Sequence, residues 1–216
     1  MVERGITLPL GREFERGCVR SLRERDVPKM LEWMHDPAVA GQFQADFASM
    51  DEADVAAFVR SSWEDARSVH LAIDEGKGYL GTVSLKNVDA KNASAEYAIA
   101  TRAAVHGTGA AMRATNEILS IAFGALGLNR VFLNVRADNG RARAFYRKVG
   151  FAEEGVAREA LRLRARGGVV DLVWLSMLAS EFGGDLCPCG EAIADEAQGL
   201  HRREEQHSVR CAGLPS

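Results

Sequence analysis

The 216-residue chain contains no run approaching the ~20 apolar residues that a membrane span requires. The N-terminal stretch does not read as a secretory leader: Glu3 and Glu13 interrupt it, and its one apolar run, residues 6–10, is too short. These absences predict a cytoplasmic protein with no membrane partner. Cysteine is scarce. Cys18, Cys187, Cys189 and Cys211 are the only four, and in a cytosolic chain they read as thiols or metal ligands rather than a disulfide frame. Lysine is scarcer still relative to arginine, 5 against 22, but the arginines are scattered and form no phosphate-binding run. Nor is there an excess of one charge: 27 basic and 30 acidic residues leave −3, which gives no reason to expect nucleic acid or an anionic surface as a partner. No internal repeat is present.

What is there is ordinary globular composition, 47% apolar and 26% charged. The strongest boundary falls near Phe182. From residue 17 to 182, apolar runs and helical patterns alternate with short turns. Residues 183–216 are polar, hold three of the four cysteines and carry the whole net charge of −3. The expected organisation is an N-terminal extension (1–16), one domain (17–182) and a disordered cysteine-containing tail (183–216). Cys187-x-Cys189, His201, His207 and Cys211 suit zinc in type but not in spacing, so no metal site is assigned.

Within the domain, residues 18–22 read as a strand. Asp26 and Pro28 open a helix bearing Met30, Leu31 and Met34, which Pro37 ends. Asp51 or Glu52 opens a second helix to about Ser62. Strands at 69–73 and 79–88 form a hairpin around the turn 74–78. In the strand 94–100, Ala95, Tyr97 and Ile99 face one way and Glu96 and Ala98 the other. A helix that follows Gly107 to Gly109 and runs to Leu126 comes next, then a strand at 130–135 and a helix capped by Asn139 and closed by Gly150. Two last strands, 155–162 and 169–178, flank the Gly167-Gly168 turn. The order is α+β: antiparallel hairpins, then a β-helix-β-helix-β unit.

Two segments carry chemistry. Val105-His106-Gly107-Thr108-Gly109-Ala110-Ala111 joins a strand to a helix. Its glycines let the backbone approach a ligand, and the helix N-terminus favours a phosphate or pyrophosphate. A Walker A loop is not matched, because Lys and Ser/Thr are missing after the second Gly, and G-x-G-x-x-G fails because Met112 stands where a small residue is required. The second segment is Asn139-x-x-Ala142-x-x-Phe145-Tyr146-x-x-x-Gly150-Phe151.

Together these resemble the GNAT superfamily of N-acetyltransferases. Its loop Q/R-x-x-G-x-G/A is met by His106-x-x-Gly109-x-Ala111 except at the first position. Its later signature N-x-x-A-x-x-F/L-Y-x-x-x-G-F is met throughout residues 139–151. Leu31-Glu32-Trp33, Gly81-Thr82-Val83-Ser84-Leu85, the run from Asn92 to Tyr97, Gly127-Leu128-Asn129-Arg130-Val131 and Gly155-x-x-Arg158-Glu159-Ala160 look like the branch acetylating a nucleotide-linked 4-amino sugar. The ribosomal-protein alanine N-acetyltransferase branch shares much of that pattern.

The resemblance implies a GNAT fold, a mixed, mostly antiparallel sheet with helices on both faces. It implies acetyl-CoA as donor, a small primary amine as acceptor and a homodimer as one assembly open to it. It places Glu96 as the base that deprotonates the acceptor, directly or through water, and Tyr146 as the acid beside the departing sulfur. Donor contacts fall on Ile99, Ala100, His106, Gly107, Thr108, Gly109, Ala110, Ala111, Arg113, Asn139 and Phe145, with an oxyanion met by a backbone N–H of the strand at 94–100. Arg102, Arg141 and Arg143 are further candidates to replace the charge missing at His106. Trp33, Phe43 and Phe47 fit either an acceptor pocket or core packing. Cys18, far in sequence from both motifs, argues for direct transfer. Other acceptors remain open, protein N-termini first, and so does a CoA-binding regulatory module without catalysis.

Overall fold

The computed structural model describes residues 8, 10–41, 43, 45–163 and 167–185. Its sheet has eight strands: β1 (Glu15–Arg16), β2 (Val19–Ser21), β3 (Val69–Asp74), β4 (Tyr79–Asp89), β5 (Ser94–Thr101), β6 (Arg130–Arg136), β7 (Ala152–Arg162) and β8 (Val169–Leu178), in the order β1-β2-β3-β4-β5-β6-β8-β7. Every neighbouring pair is antiparallel except β5 and β6. Five α-helices are described: α1 (Val27–Met34), α2 (Pro37–Ala40), α3 (Glu52–Ser62), α4 (Ala110–Ser120) and α5 (Gly140–Val149).

Period-2 alternation along the strands separates two apolar clusters, one per face. On one face Leu71, Ile73, Val83, Leu85, Ala95, Tyr97, Val131 and Leu133 pack with Ala114, Ile118 and Leu119 of α4 and Tyr146 of α5. On the other, Ala72 and Tyr79 pack with Val27, Met30, Trp33 and Met34 of α1 and Val55 and Val59 of α3. Helices therefore lie on both faces, as the α+β GNAT expectation requires.

Several local expectations shift. Pro37 does not merely end a helix. α1 stops at Met34, and Pro37 takes the first position of α2, where its missing N–H costs nothing and Asp36 caps Ala38. Helix α4 is regular to Ser120 and then widens into a π turn, Ile121–Ala125, that ends at Leu126. Trp33 is 3% exposed and donates to the Tyr79 hydroxyl at 2.9 Å, so it belongs to the core, with the half-buried Phe43 tilted against it and Phe47 edge-on.

Asp26 stands at the head of α1, but its carboxylate accepts from Arg20, at 2.7 and 2.9 Å, and from the Arg23 N–H. The Arg20 Nε also donates to Asp74 at 2.9 Å. This buried ion network ties β2, α1 and the β3–β4 turn. Nothing in the sequence spacing announces it. The tail residues Cys187, Cys189, His201, His207 and Cys211 lie outside the described residues. Among those described, no group of three or more metal-ligating side chains occurs and no helix is long and apolar enough to cross a membrane.

Candidate active site

The site begins where two strands part. β5 and β6 are in register only at Ser94–Arg130, Ala95–Val131 and Glu96–Phe132. Beyond Glu96, β5 continues to Thr101 paired with β4 alone. The backbone groups it turns toward β6 from that point have no strand partner, which leaves N–H donors at the mouth of the splay. Ala98, Ile99 and Ala100, which line it, are half-exposed.

At the far end of β5 the chain enters the glycine loop. Gly107 and Gly109 hold φ of +80° and +82°, a left-handed backbone that an L side chain resists. A Cβ on Gly109 would also meet the Arg113 guanidinium at 2.8 Å. The Gly107 and Gly109 N–H groups make no hydrogen bond among the described residues. Thr108 Oγ1 fixes the turn by donating to the Val105 carbonyl at 2.8 Å and accepting from the Ala110 N–H. Two free N–H groups at the N-terminus of α4, beside Ala110 and Ala111, form a cradle for an anion such as a pyrophosphate.

The arginines divide by partner. Arg113 is bound to Glu75 at 2.6 Å and to the Thr108 carbonyl, Arg102 grips Glu32 with two donors, and Arg143 holds Glu153. Arg141, at the start of α5, donates instead to Nδ1 of His106 at 3.0 Å. Partial burial, then the Arg141 charge, lowers the His106 pKa from its ordinary value, so the cationic character at this loop resides on Arg141. Asn139 Oδ1 accepts from the Ala142 N–H at 3.1 Å and so caps α5.

Helix α5 lowers Tyr146 into the core beside the splay. It is 9% exposed, with edge-on contacts to Tyr97 (6.1 Å), Phe145 (5.4 Å) and Phe151 (5.9 Å). Its hydroxyl makes no hydrogen bond among the described residues, and burial pushes its pKa up to about 12. Tyr97 bonds to Thr115 at 2.8 Å and is fully buried, which pushes its pKa up as well.

Glu96 is next to Tyr97 on β5 and therefore turns to the opposite face. Its Oε1 accepts from Lys86 at 2.9 Å and its Oε2 from Asn87 at 3.2 Å. On that face the polar row extends across β4 to Ser84 and His70. On β6 and β8, Phe132 and Trp174 lie 6.2 Å apart, outside both apolar clusters, and Trp174 is 37% exposed. Glu96 and Tyr146 thus flank the splay from its two faces. The cross-strand row at Ser84 and His70 escaped the sequence because it joins residues 14 apart through sheet register.

Comparison with known proteins agrees with this geometry. A family model described as an acetyltransferase (GNAT) domain matches residues 16–152. A Bacillus subtilis (strain 168) protein with the provisional name ribosomal N-acetyltransferase YdaF is 31% identical over 126 residues, 58% of this chain and 68% of that one. The spermidine N(1)-acetyltransferase of Vibrio cholerae serotype O1 is 26% identical over 157 residues, 72% and 85% of the two chains. Among solved structures, spermidine N-acetyltransferase from Vibrio cholerae, in complex with CoA and spermine, shares the fold with a TM-score of 0.69 at 22% identity, covering 76% of this chain and 95% of that one. None of these relatives is named for an amino sugar.

Proposed function

The chain belongs to the acetyltransferase (GNAT) family, and on that premise we propose that it transfers an acetyl group directly to the free N-terminal amine of a polypeptide. The family's donor is acetyl-CoA, which supplies the acetyl thioester. The observation that carries the reading is the splay beyond Glu96, with an anion cradle at one end and Tyr146 beside it.

The chain's own residues divide the work. The Gly107 and Gly109 N–H groups and Arg141 hold the donor's pyrophosphate. Ile99, Ala100 and Phe145 line the approach to the splay. Glu96 receives the acceptor ammonium in exchange for Lys86 and takes its proton, directly or through water, freeing the nitrogen lone pair for attack on the carbonyl carbon. An unpaired N–H of β5 meets the oxyanion. The Tyr146 hydroxyl stays protonated at every working pH. It donates to the sulfur as negative charge develops there, the C–S bond breaks onto a thiol rather than a bare thiolate, and the nitrogen's second proton, shed as the adduct collapses to the amide, restores the Tyr146 hydroxyl.

Two features support a polypeptide acceptor. The face carrying Phe132 and Trp174 is open beside the splay, as an extended chain requires. The charges along that face are already matched, Lys86 with Glu96 and Arg136 with Asp138, so a polyamine finds ion pairs there rather than a row of free carboxylates. The name of the Bacillus subtilis relative points the same way.

The test is free-thiol release from acetyl-CoA against N-terminal peptides, spermidine and nucleotide-linked amino sugars. Release is expected with the peptides. Release confined to spermidine or to an amino sugar would move the acceptor assignment to that compound, and no release with any amine would leave only a donor-binding module.

A further inference from the structure

Turnover converts an ammonium and a thioester into an amide and a thiol. The nitrogen loses two protons and the sulfur regains one, so one proton must leave the site in every cycle. The proposed function brings it as far as Glu96, and the inference below rests on that reading.

The sheet continues beyond Glu96 in a polar row. Lys86 is the cross-strand partner of Glu96, Ser84 of Ala98 and His70 of Ser84, and all of these side chains lie on the acceptor face. Glu96 and Ser84 are thus diagonal neighbours, their backbones about 7–8 Å apart, and side chains so placed on one face come close enough to share a bridging water. Ser84 is 6% exposed, and its Oγ lies 2.9 Å from Nδ1 of His70.

We propose that Ser84 and His70 form the proton outlet of the acceptor site. The O–H bond of protonated Glu96 breaks as a bridging water passes a proton to Ser84 Oγ, and the Ser84 hydroxyl proton moves to Nδ1 of His70, leaving glutamate, an intact serine and an imidazolium that discharges to solvent. His70 is a positioning residue in this scheme and touches neither substrate.

The surroundings of His70 suit an intermittent acceptor. α3 sets Phe58 edge-on against the ring at 4.9 Å. The charged groups facing it are Asp65, from the segment between α3 and β3, and Lys86 on β4. Burial, with a smaller contribution from Lys86, lowers the imidazole pKa from its ordinary 6.5, while Asp65 opposes the shift. The ring is therefore neutral at pH 7 and gives up an acquired proton readily.

The experiment is steady-state thiol release by the full chain with acetyl-CoA and a short peptide bearing a free N-terminus, across pH 5–9. His70→Gln is expected to lower kcat about tenfold, to leave the KM for acetyl-CoA within twofold, and to erase the inflection below pH 6.5 from the kcat profile. Ser84→Ala should match it, and Ser84→Thr, which restores a hydroxyl, should recover most of the rate. An unchanged pH profile in His70→Gln, or Ser84→Thr as slow as Ser84→Ala, overturns the outlet while the wild type remains an acetyltransferase. If His70→Gln fails to fold by circular dichroism, the Ser84 pair decides alone. A wild type that releases no thiol with any amine overturns the outlet and the proposed function together.

Discussion

Tyr146 combines a buried ring with a hydroxyl that has no hydrogen-bond partner among the described residues, which leaves its proton available to whatever enters the splay. Tyr146→Phe is expected to lower kcat by about 100-fold, while KM for acetyl-CoA changes less than threefold and thermal stability holds or rises. A fall in KM and kcat together would remove the acid role. A surface pair gives a second prediction. Two Arg130 donors at 2.6 Å, joined by Ser176 at 2.8 Å, draw the Glu154 carboxyl down from its ordinary 4.5 to about 2. A depressed carboxyl pKa contributes stability that is present above 4.5 and lost as pH falls through 2. The thermal midpoint of the wild type should therefore exceed that of Glu154→Gln at pH 6, and the gap should close between pH 4.5 and 2.

At the scale of elements, the loop before α4 and the cap of α5 make separable predictions. Gly109→Ala imposes a Cβ on a φ of +82° and drives it against Arg113. It should raise the KM for acetyl-CoA severalfold with little change in the KM of the amine, measured by thiol release. Asn139→Ala removes the bond to the Ala142 N–H and should cost about 1 kcal/mol in denaturant unfolding. If its KM for acetyl-CoA also rises tenfold, Asn139 contacts the donor directly as well as capping the helix. Both elements were legible in the sequence because their signals are local: a glycine pair before an apolar 3.6 period, and Asn139 three residues ahead of Ala142. The π turn in α4 and the start of α2 at Pro37 were not, because hydrophobic periodicity is blind to one extra residue in a turn and to a four-residue helix.

For the whole molecule, the Arg20 network joins parts that are distant in sequence. Arg20 is 2% exposed and bridges Asp26 and Asp74. Arg20→Ala leaves both carboxylates without their cation, with Asp26 2% exposed, and should cost about 3–5 kcal/mol in denaturant unfolding. The double variant Arg20→Leu/Asp26→Leu should recover part of that loss. If Arg20→Ala costs under 1 kcal/mol, water reaches the site and the network is not buried in solution.

The resemblance of two motifs identified the family and singled out the tyrosine on α5, while composition, spacing and local periodicity determined the α+β order, most strand and helix positions within a few residues, and the glycine cradle. Each depends on residues close together in the chain or on a pattern that repeats along it. The tertiary structure alone decided what depends on register between strands and on how helices and loops dock against them. It ended the β5–β6 pairing at Glu96, set Glu96 and Tyr146 on opposite faces, placed Trp33 in the core, left Arg141 rather than Arg113 beside His106, and brought His70 to Ser84. Alternation along one strand tells which face a side chain takes, and a one-residue slip would reverse it, but the residue that stands across from it is set only when the strands pair.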